Sequence, residues 1–337
     1  MSRRPKNELT PQENPQDYAF LAQISDMYYN QGMLQADIAH QLYFSRSKVS
    51  RLLTRARELG IVDIRVKHIR DRVSSLENVF KETFGLKDAV IISSFEDDTY
   101  DQIHDAVTDF ASIYVSNLLK GKVRIGVASG NAADRTNRKI RPIHDCELEV
   151  VQLVGTVSNA QQALEFREIS NRLASLFNGT IHYLNTPLYM DNAFAREALL
   201  QDPIVKRVIE MMKGCDIILT GLGGMDVSRL KTAEIIREYQ TQEQAQELQQ
   251  KGAVGCVCMM YYDINGQLVD CEWNKKCICV PFEDVVQNPM TVAVACGDYK
   301  VQPITGALRG HIPNVLITDI MTATKVLQKN EELNRKG

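Results

Sequence analysis

Residues 35–59, QADIAHQLYFSRSKVSRLLTRAREL, decide how this chain is read. The apolar spacing predicts a short helix from Gln35 to Leu42 that buries Ile38, Ala39 and Leu42. Tyr43 and Phe44 make the turn. Ser45 is a good N-cap for a second helix reaching Leu59, and Gly60 stops it. Wound at about 100° per residue, the second helix gathers Val49, Leu52, Leu53 and Ala56 on one packing face. Ser47, Ser50, Arg51, Thr54 and, at the edge, Arg55 point the other way, with Ser45, Arg46 and Lys48 at the N-terminal end. Arginine pairs bidentately with guanine, and Ser, Thr and Lys suit phosphates and base edges. The free amides at the helix start add a favourable field for phosphate. These are the parts of a helix-turn-helix whose second helix lies in a DNA major groove, so Ser45, Arg46, Ser47, Lys48, Ser50, Arg51, Thr54 and Arg55 are the expected DNA contacts. The plainer alternative is a solvated charged helix in an ordinary bundle. Against it stand five cations (Arg46, Lys48, Arg51, Arg55, Arg57) before the first acid, Glu58, and the shortness of the preceding helix and turn. Such turns usually carry Gly where this chain has Tyr43. A positive φ is costly for a bulky residue, so the turn either avoids that conformation or stores strain.

Working outward, Tyr18–Asn30 spaces Phe20, Leu21, Ile24, Met27 and Tyr28 helically and ends at Gln31-Gly32. Ile61–Val66 alternates as a strand, one edge of a small wing. Residues 1–17 have no apolar core and read as a disordered leader, not a signal peptide, which points to the cytoplasm. The expected organisation is a leader (1–17), a winged helix-turn-helix domain (18–70), a linker helix (71–87) and a large domain (88–337). The linker segment sets Val73, Leu76 and Phe80 on one face, to pack on a partner chain or on its own body.

The length of 337 residues suits two domains, and 44% hydrophobic with 24% charged residues excludes a disordered chain. No apolar run approaches a membrane span. Residues 1–70 carry 11 Lys/Arg against 7 Asp/Glu, and the remainder 28 against 35, a basic head on an acidic body. That split favours a polyanion-binding head over a uniformly charged enzyme. Six of the eight cysteines fall between 256 and 296. The spacing Cys256-x-Cys258 and Cys277-x-Cys279 puts both sulfurs on one strand face, whereas zinc sites favour C-x-x-C turns. The cysteines therefore read as small buried apolar residues, and no metal or cofactor is expected.

From about residue 88 short apolar runs alternate with amphipathic helices. Strands are predicted at 122–128, 147–155, 180–185, 215–221, 256–263, 291–296 and 314–319. Helices are predicted at Asp101–Leu119, Gln161–Phe177, Pro203–Lys213 and Met321–Gln328. β-branched strands apolar on both faces imply an α/β domain with a mostly parallel sheet. Such sheets bind ligands at the carboxyl ends of their strands. Ser129-Gly130-Asn131 and Gly221–Gly224 are glycine loops that either admit an oxyanion or merely turn. Lys300, four residues after Cys296, is a point charge for a phosphate or a surface lysine. Asp263 accepts sugar hydroxyls or makes a turn with Asn265-Gly266. No constellation demands catalysis.

With these fragments in order, the chain resembles the SorC family of sugar-responsive transcription regulators. In the head the resemblance rests on Met27-Tyr28-Tyr29, Gln35-x-x-Ile38-Ala39, Ser45-Arg46-x-x-Val49-Ser50-Arg51-Leu52-Leu53 and Gly60-Ile61-Val62. In the body it rests on Gly126–Asn131, Gly221-Leu222-Gly223-Gly224, Gly252-Ala253-Val254-Gly255 with Asp263 and Gly266, Gly297-x-x-Lys300, Ala307-Leu308-Arg309 and Asn314–Asp319. It implies a body similar in fold to sugar-phosphate isomerases and deaminases, a sugar or sugar-phosphate effector, and a homo-oligomer, dimer or tetramer, on double-stranded operator DNA. It implies effector contacts from Ser129, Gly130, Asn131, Gly155, Thr156, Gly221, Gly223, Gly224, Asp263 and Lys300. Three positions depart from the pattern: Gly155-Thr156 replaces paired glycines, Val127–Asn131 lacks a Trp-Gly-Arg, and Cys256 stands where Asp is usual. The expected function is a ligand-gated regulator, more readily a repressor than an activator, of a carbohydrate operon. The alternatives are a sugar-phosphate isomerase or deaminase with a DNA-binding head, or an architectural factor insensitive to small molecules.

Overall fold

The computed structural model describes residues 15–62, 70–157, 160–225 and 240–335. The chain divides into two compact units between Ile69 and Arg70.

In the first unit α1 (Pro15–Tyr29), α2 (Gln35–Gln41) and α3 (Arg46–Glu58) close on Ile24, Met27, Ile38, Ala39, Val49 and Leu53. The Phe20 and Phe44 rings meet edge-on at 5.9 Å. In the last turn of α1 the Asp26 carboxylate accepts from the Asn30 and Gln31 side chains, and beyond them Gly32 turns the chain at φ 69°. Ser45 Oγ accepts from Lys48 N at 3.3 Å, the expected cap of α3, and Gly60 at φ 73° follows its end. Tyr43 does adopt a left-handed conformation, φ 55°, with its side chain 95% exposed. The turn therefore stores strain of about 1–2 kcal/mol, which no packing of the ring offsets. The predicted wing strand falls mostly on residues 63–69, and the leader mostly on 1–14, both outside the described residues.

The second unit begins with α4 (Ser74–Phe84), β1 (Asp88–Ile92), α5 (Tyr100–Leu118), β2 (Gly121–Val127), α6 (Asn131–Lys139), β3 (Cys146–Gln152), α7 (Ala160–Leu176) and β4 (Thr180–His182). Then come α8 (Ala193–Gln201), α9 (Pro203–Lys213), β5 (Ile217–Gly221), β6 (Gly223–Gly224), α10 (Gln242–Gln250), β7 (Ala253–Val257) and β8 (Met260–Asp263). The chain continues through α11 (Glu272–Lys276), α12 (Phe282–Gln287), β9 (Thr291–Val294), a 3-10 turn (Asp298–Lys300), α13 (Val301–Arg309), β10 (Val315–Asp319) and α14 (Ile320–Asn334).

Seven strands form one sheet in the order β1-β10-β9-β5-β2-β3-β4, every neighbouring pair parallel. Successive strand residues serve opposite faces. Ile218, Ala293 and Leu316 pack in one core with Phe80, Val208, Ile304 and Val326 from α4, α9, α13 and α14. Leu219, Val292 and Ile317 pack in the other with Val107, Ala111, Val115 and Leu173 from α5 and α7. Both faces are covered, and this is why the strands are apolar on successive residues toward their carboxyl ends. The segment expected as a linker helix belongs to this body. Phe80 and Phe84 are buried, and Glu77 accepts from Arg72 Nε at 2.8 Å and from Ile91 N at 3.0 Å.

One predicted strand is corrected. Residues 256–263 bend into the antiparallel hairpin β7–β8, which pairs with β6 in a separate three-stranded sheet. Its tip, Cys258-Met259, has φ 46° and 70°, a two-residue reversal made without glycine or asparagine, so no turn signal marked it. The edge strand β1 also went unread.

Candidate functional site

The sheet reverses its winding direction at β2. From there the chain runs to β3 and β4 on one side, then returns to lay β5 on the other. Neighbouring loops diverge at such a point and leave a crevice at the strand carboxyl ends. A cavity of about 90 Å³ lies there, lined by Ser129, Gly130 and Asn131 after β2, by Gly221 and Gly223 after β5, and by Lys300. Six of the ten expected effector residues are thus brought together.

Lys300 is 9% exposed. The 3-10 turn that carries it starts at Gly297, φ 101°, whose N–H donates to Thr322 Oγ1 at 2.7 Å. Its Nζ donates to the Leu222 carbonyl oxygen at 2.5 Å and lies 5.0 Å from the Tyr299 ring centroid. Burial pushes the ammonium down to about 8, while Cys256 and Cys296 push weakly the other way. No carboxylate stands among the described residues lining the cavity. A buried cation with a carbonyl and a ring face but no carboxylate in its described lining is costly, and an anion in the cavity relieves that cost.

The rest of the lining is soft and apolar: Cys256, Cys258, Cys296, Met259, Leu222 and Val294. Burial pushes the Cys256 and Cys258 thiols up to about 11 and about 12, so both are neutral at neutral pH. A Cβ on Gly223 would stand 2.3 Å from Cys256 Sγ, so a larger residue there needs that thiol to turn aside. Among the described residues no group of three or more His, Cys, Asp or Glu is arranged to hold a metal ion.

The other expected effector residues do not line the cavity. Gly155 N donates to the Ile278 carbonyl, and a Cβ on Gly155 would fall 2.5 Å from Pro187 O. Thr156 N donates to Thr186 O, and Thr156 O accepts from Leu188 N, so this loop is a junction of backbones. Gly224 is buried in the β6–β7 ladder against Tyr299 O and Pro303. The Asp263 carboxylate accepts from Asn265 N and Gln267 N, each at 2.9 Å, and thereby forms its own turn. Arg309 fixes that turn through Asn265 and bonds Asn330 and Asn334 of α14.

Sequence reasoning missed Tyr100, His104, Thr220 and Tyr299, all of which line the cavity. A signal did exist for two of them. In a parallel sheet each crossover helix starts near the strand carboxyl ends, so Tyr100 and His104 in the first turns of α5 were candidates by topology alone.

In the head, Ser45, Arg46, Ser47, Lys48, Ser50, Arg51, Thr54 and Arg55 are all exposed, while α3 buries Val49, Leu53 and Ala56. Lys48 Nζ also sits 3.6 Å from the Phe44 ring centroid. The eight polar side chains form one accessible face above an apolar seat.

Residues 70–328 match the family model described as "Putative sugar-binding domain". The sorbitol operon regulator of Klebsiella pneumoniae is 29% identical over 320 residues, 94% of this chain and 100% of that one. Its full-length crystal structure superposes with a TM-score of 0.69 at 28% identity, covering 93% of this chain and 100% of that one. The chain belongs to the SorC family of transcriptional regulators. A second relative, the deoxyribonucleoside regulator of Bacillus subtilis (strain 168), is 31% identical over 297 residues, 88% of this chain and 93% of that one. In this SorC-family chain, among the described residues, no helix is long and apolar enough to cross a membrane.

Proposed function

We propose that this chain is a cytoplasmic repressor of a carbohydrate-utilisation operon. It reads a palindromic operator as a homo-oligomer, and an anionic sugar, foremost a sugar phosphate, relieves repression. The observation that carries the effector class is Lys300, a buried ammonium facing a cavity whose described lining holds no carboxylate. The names of its relatives, regulators of sorbitol and deoxyribonucleoside genes, support the carbohydrate class. The exposed face of α3 supports the DNA partner, with Arg51 and Arg55 toward base edges and Ser45, Ser47 and Lys48 toward phosphates. One such helix reads too few base pairs, so a two-fold pair of heads is required. An effector switches the operator affinity only if it binds the two quaternary arrangements unequally.

An isomerase or deaminase would need a general base beside the carbons that exchange protons. The described lining offers the His104 imidazole and Lys300 but no carboxylate, and the relatives are named as regulators, so occupancy without turnover is expected. The test is a titration of the full chain on operator DNA recovered by selection from random duplexes. A sugar phosphate should release the DNA saturably and leave the reaction mixture unconverted. Release by none of a panel of sugar phosphates, or accumulation of an isomerised product, would overturn this reading.

A further inference from the structure

One wall of the cavity has no role in holding an anion. It comes from the first turns of α5 and from the residue before Lys300. His104 lines the cavity and is 3% exposed, and its Nδ1 has no hydrogen-bond partner among the described residues. The Tyr100 ring stacks on the imidazole at 5.5 Å, and Tyr100 Oη and Tyr299 Oη share a hydrogen bond of 2.6 Å. Gly297 makes room for the pair: a Cβ there would lie 3.0 Å from Tyr100 Cε2 and 3.2 Å from Tyr299 Cε1. Two segments distant in sequence thus converge on one imidazole and two phenols.

The chemistry of this wall is neutral. Burial, then Arg135, Lys139 and Lys300, hold the imidazole down to about 4 against a weaker pull from Asp101. At neutral pH it offers one N–H and one lone pair, the complement of a hydroxyl group. A second anionic group would require an imidazolium. A buried ring nitrogen left without a partner is expensive, and a ligand hydroxyl that arrives to fill it recovers the cost. The tyrosine rings add apolar faces for carbon-bound hydrogens.

We propose that His104, framed by Tyr100 and Tyr299, reads a hydroxyl of the effector while Lys300 holds its anionic group. The assignment rests on the reading of this cavity as the effector site. Sites that hydrogen-bond a ligand hydroxyl discriminate strongly against analogues lacking it. The anchoring end is therefore generic, and His104 carries the choice between sugars.

The test uses the full-length protein and calorimetric titration with inorganic phosphate, ribose 5-phosphate, 2-deoxyribose 5-phosphate and sorbitol 6-phosphate. In the wild type at least one sugar phosphate should bind well above inorganic phosphate. H104L should hold inorganic phosphate within about twofold of wild type and lose about tenfold or more on that sugar phosphate, the effect of one unmade hydrogen bond to a buried group. H104Q, which keeps a donor and an acceptor, should recover most of the loss. The proposal is overturned if H104L binds the sugar phosphate as the wild type does. It is also overturned if both probes weaken by the same factor, or if no sugar phosphate exceeds inorganic phosphate. A wild type that binds none of the four anions, or K300M with unchanged affinity for all of them, overturns the effector reading itself and this proposal with it.

Discussion

Replacing Lys300 by Met should make the empty protein more stable and insensitive to anions. Burial lowers the Lys300 ammonium from 10.5 to about 8. The folded state therefore binds the proton less tightly than the unfolded chain. Below about pH 8 both states are charged and the native state carries the whole cost. Between about pH 8 and 10.5 stability rises as the folded state sheds the proton first, and above that range the cost is gone. At about 1.4 kcal/mol per pH unit the cost at neutral pH is roughly 3 kcal/mol. Met keeps most of the stem but gives up the charge-assisted bond to the Leu222 carbonyl, worth about 2 kcal/mol. The expected gain is about 1 kcal/mol at pH 7, falling to zero or below by about pH 10. Trp273, the chain's only tryptophan, is fully buried in the body, so its fluorescence follows that unit through a urea titration at both pH values. Binding of inorganic phosphate and sugar phosphates should fall at least tenfold, the loss of a charge-assisted bond of about 1.5–3 kcal/mol. A K300M protein that is less stable at pH 7, or that keeps wild-type anion affinity, refutes the argument.

Three further outcomes are expected. R51A should weaken operator binding by about 1–3 kcal/mol and relax the preference at one base pair while the head stays folded, as anisotropy with matched and mismatched duplexes will show. Y43G should stabilise the head by about 0.5–1 kcal/mol, because glycine removes left-handed strain and gives back part in chain entropy; amide exchange in α2 and α3 should slow about two- to fivefold. D263A should destabilise the body by about 1–2 kcal/mol through two lost hydrogen bonds and leave effector affinity unchanged, the opposite of what a sugar-binding carboxylate would do.

The reader helix was legible because its two faces differ residue by residue over four turns, and local periodicity is all that α3 needs. The parallel sheet was legible for a related reason: strands covered on both sides are apolar at most positions on both faces. The hairpin at 256–263 was not, because its reversal uses Cys258 and Met259, and nothing in those residue types signals a positive φ. Of the cavity, the parts at strand ends could be read, namely Ser129–Asn131, Gly221, Gly223 and Lys300. Gly155 and Asp263 were expected beside them because a glycine or aspartate at a strand end serves a ligand and a tight turn equally well. Only the approach of Pro187 O to Gly155 and the two amides on the Asp263 carboxylate separate the uses. Tyr299 meets Tyr100 and His104, one turn apart on α5, solely through tertiary structure.

The hairpin tip has a consequence for the chain's history and for its engineering. Cys258 and Met259 each hold a backbone shape that costs a side-chain-bearing residue about 1–2 kcal/mol and that Asn-Gly adopts with ease. Both side chains also border the cavity. Selection for heat resistance alone would drift toward Asn-Gly there, and each step would trade a sulfur at the cavity wall for an amide or for nothing. Durability and taste are set at the same two positions, so a hardier descendant of this protein is liable to answer to a different molecule.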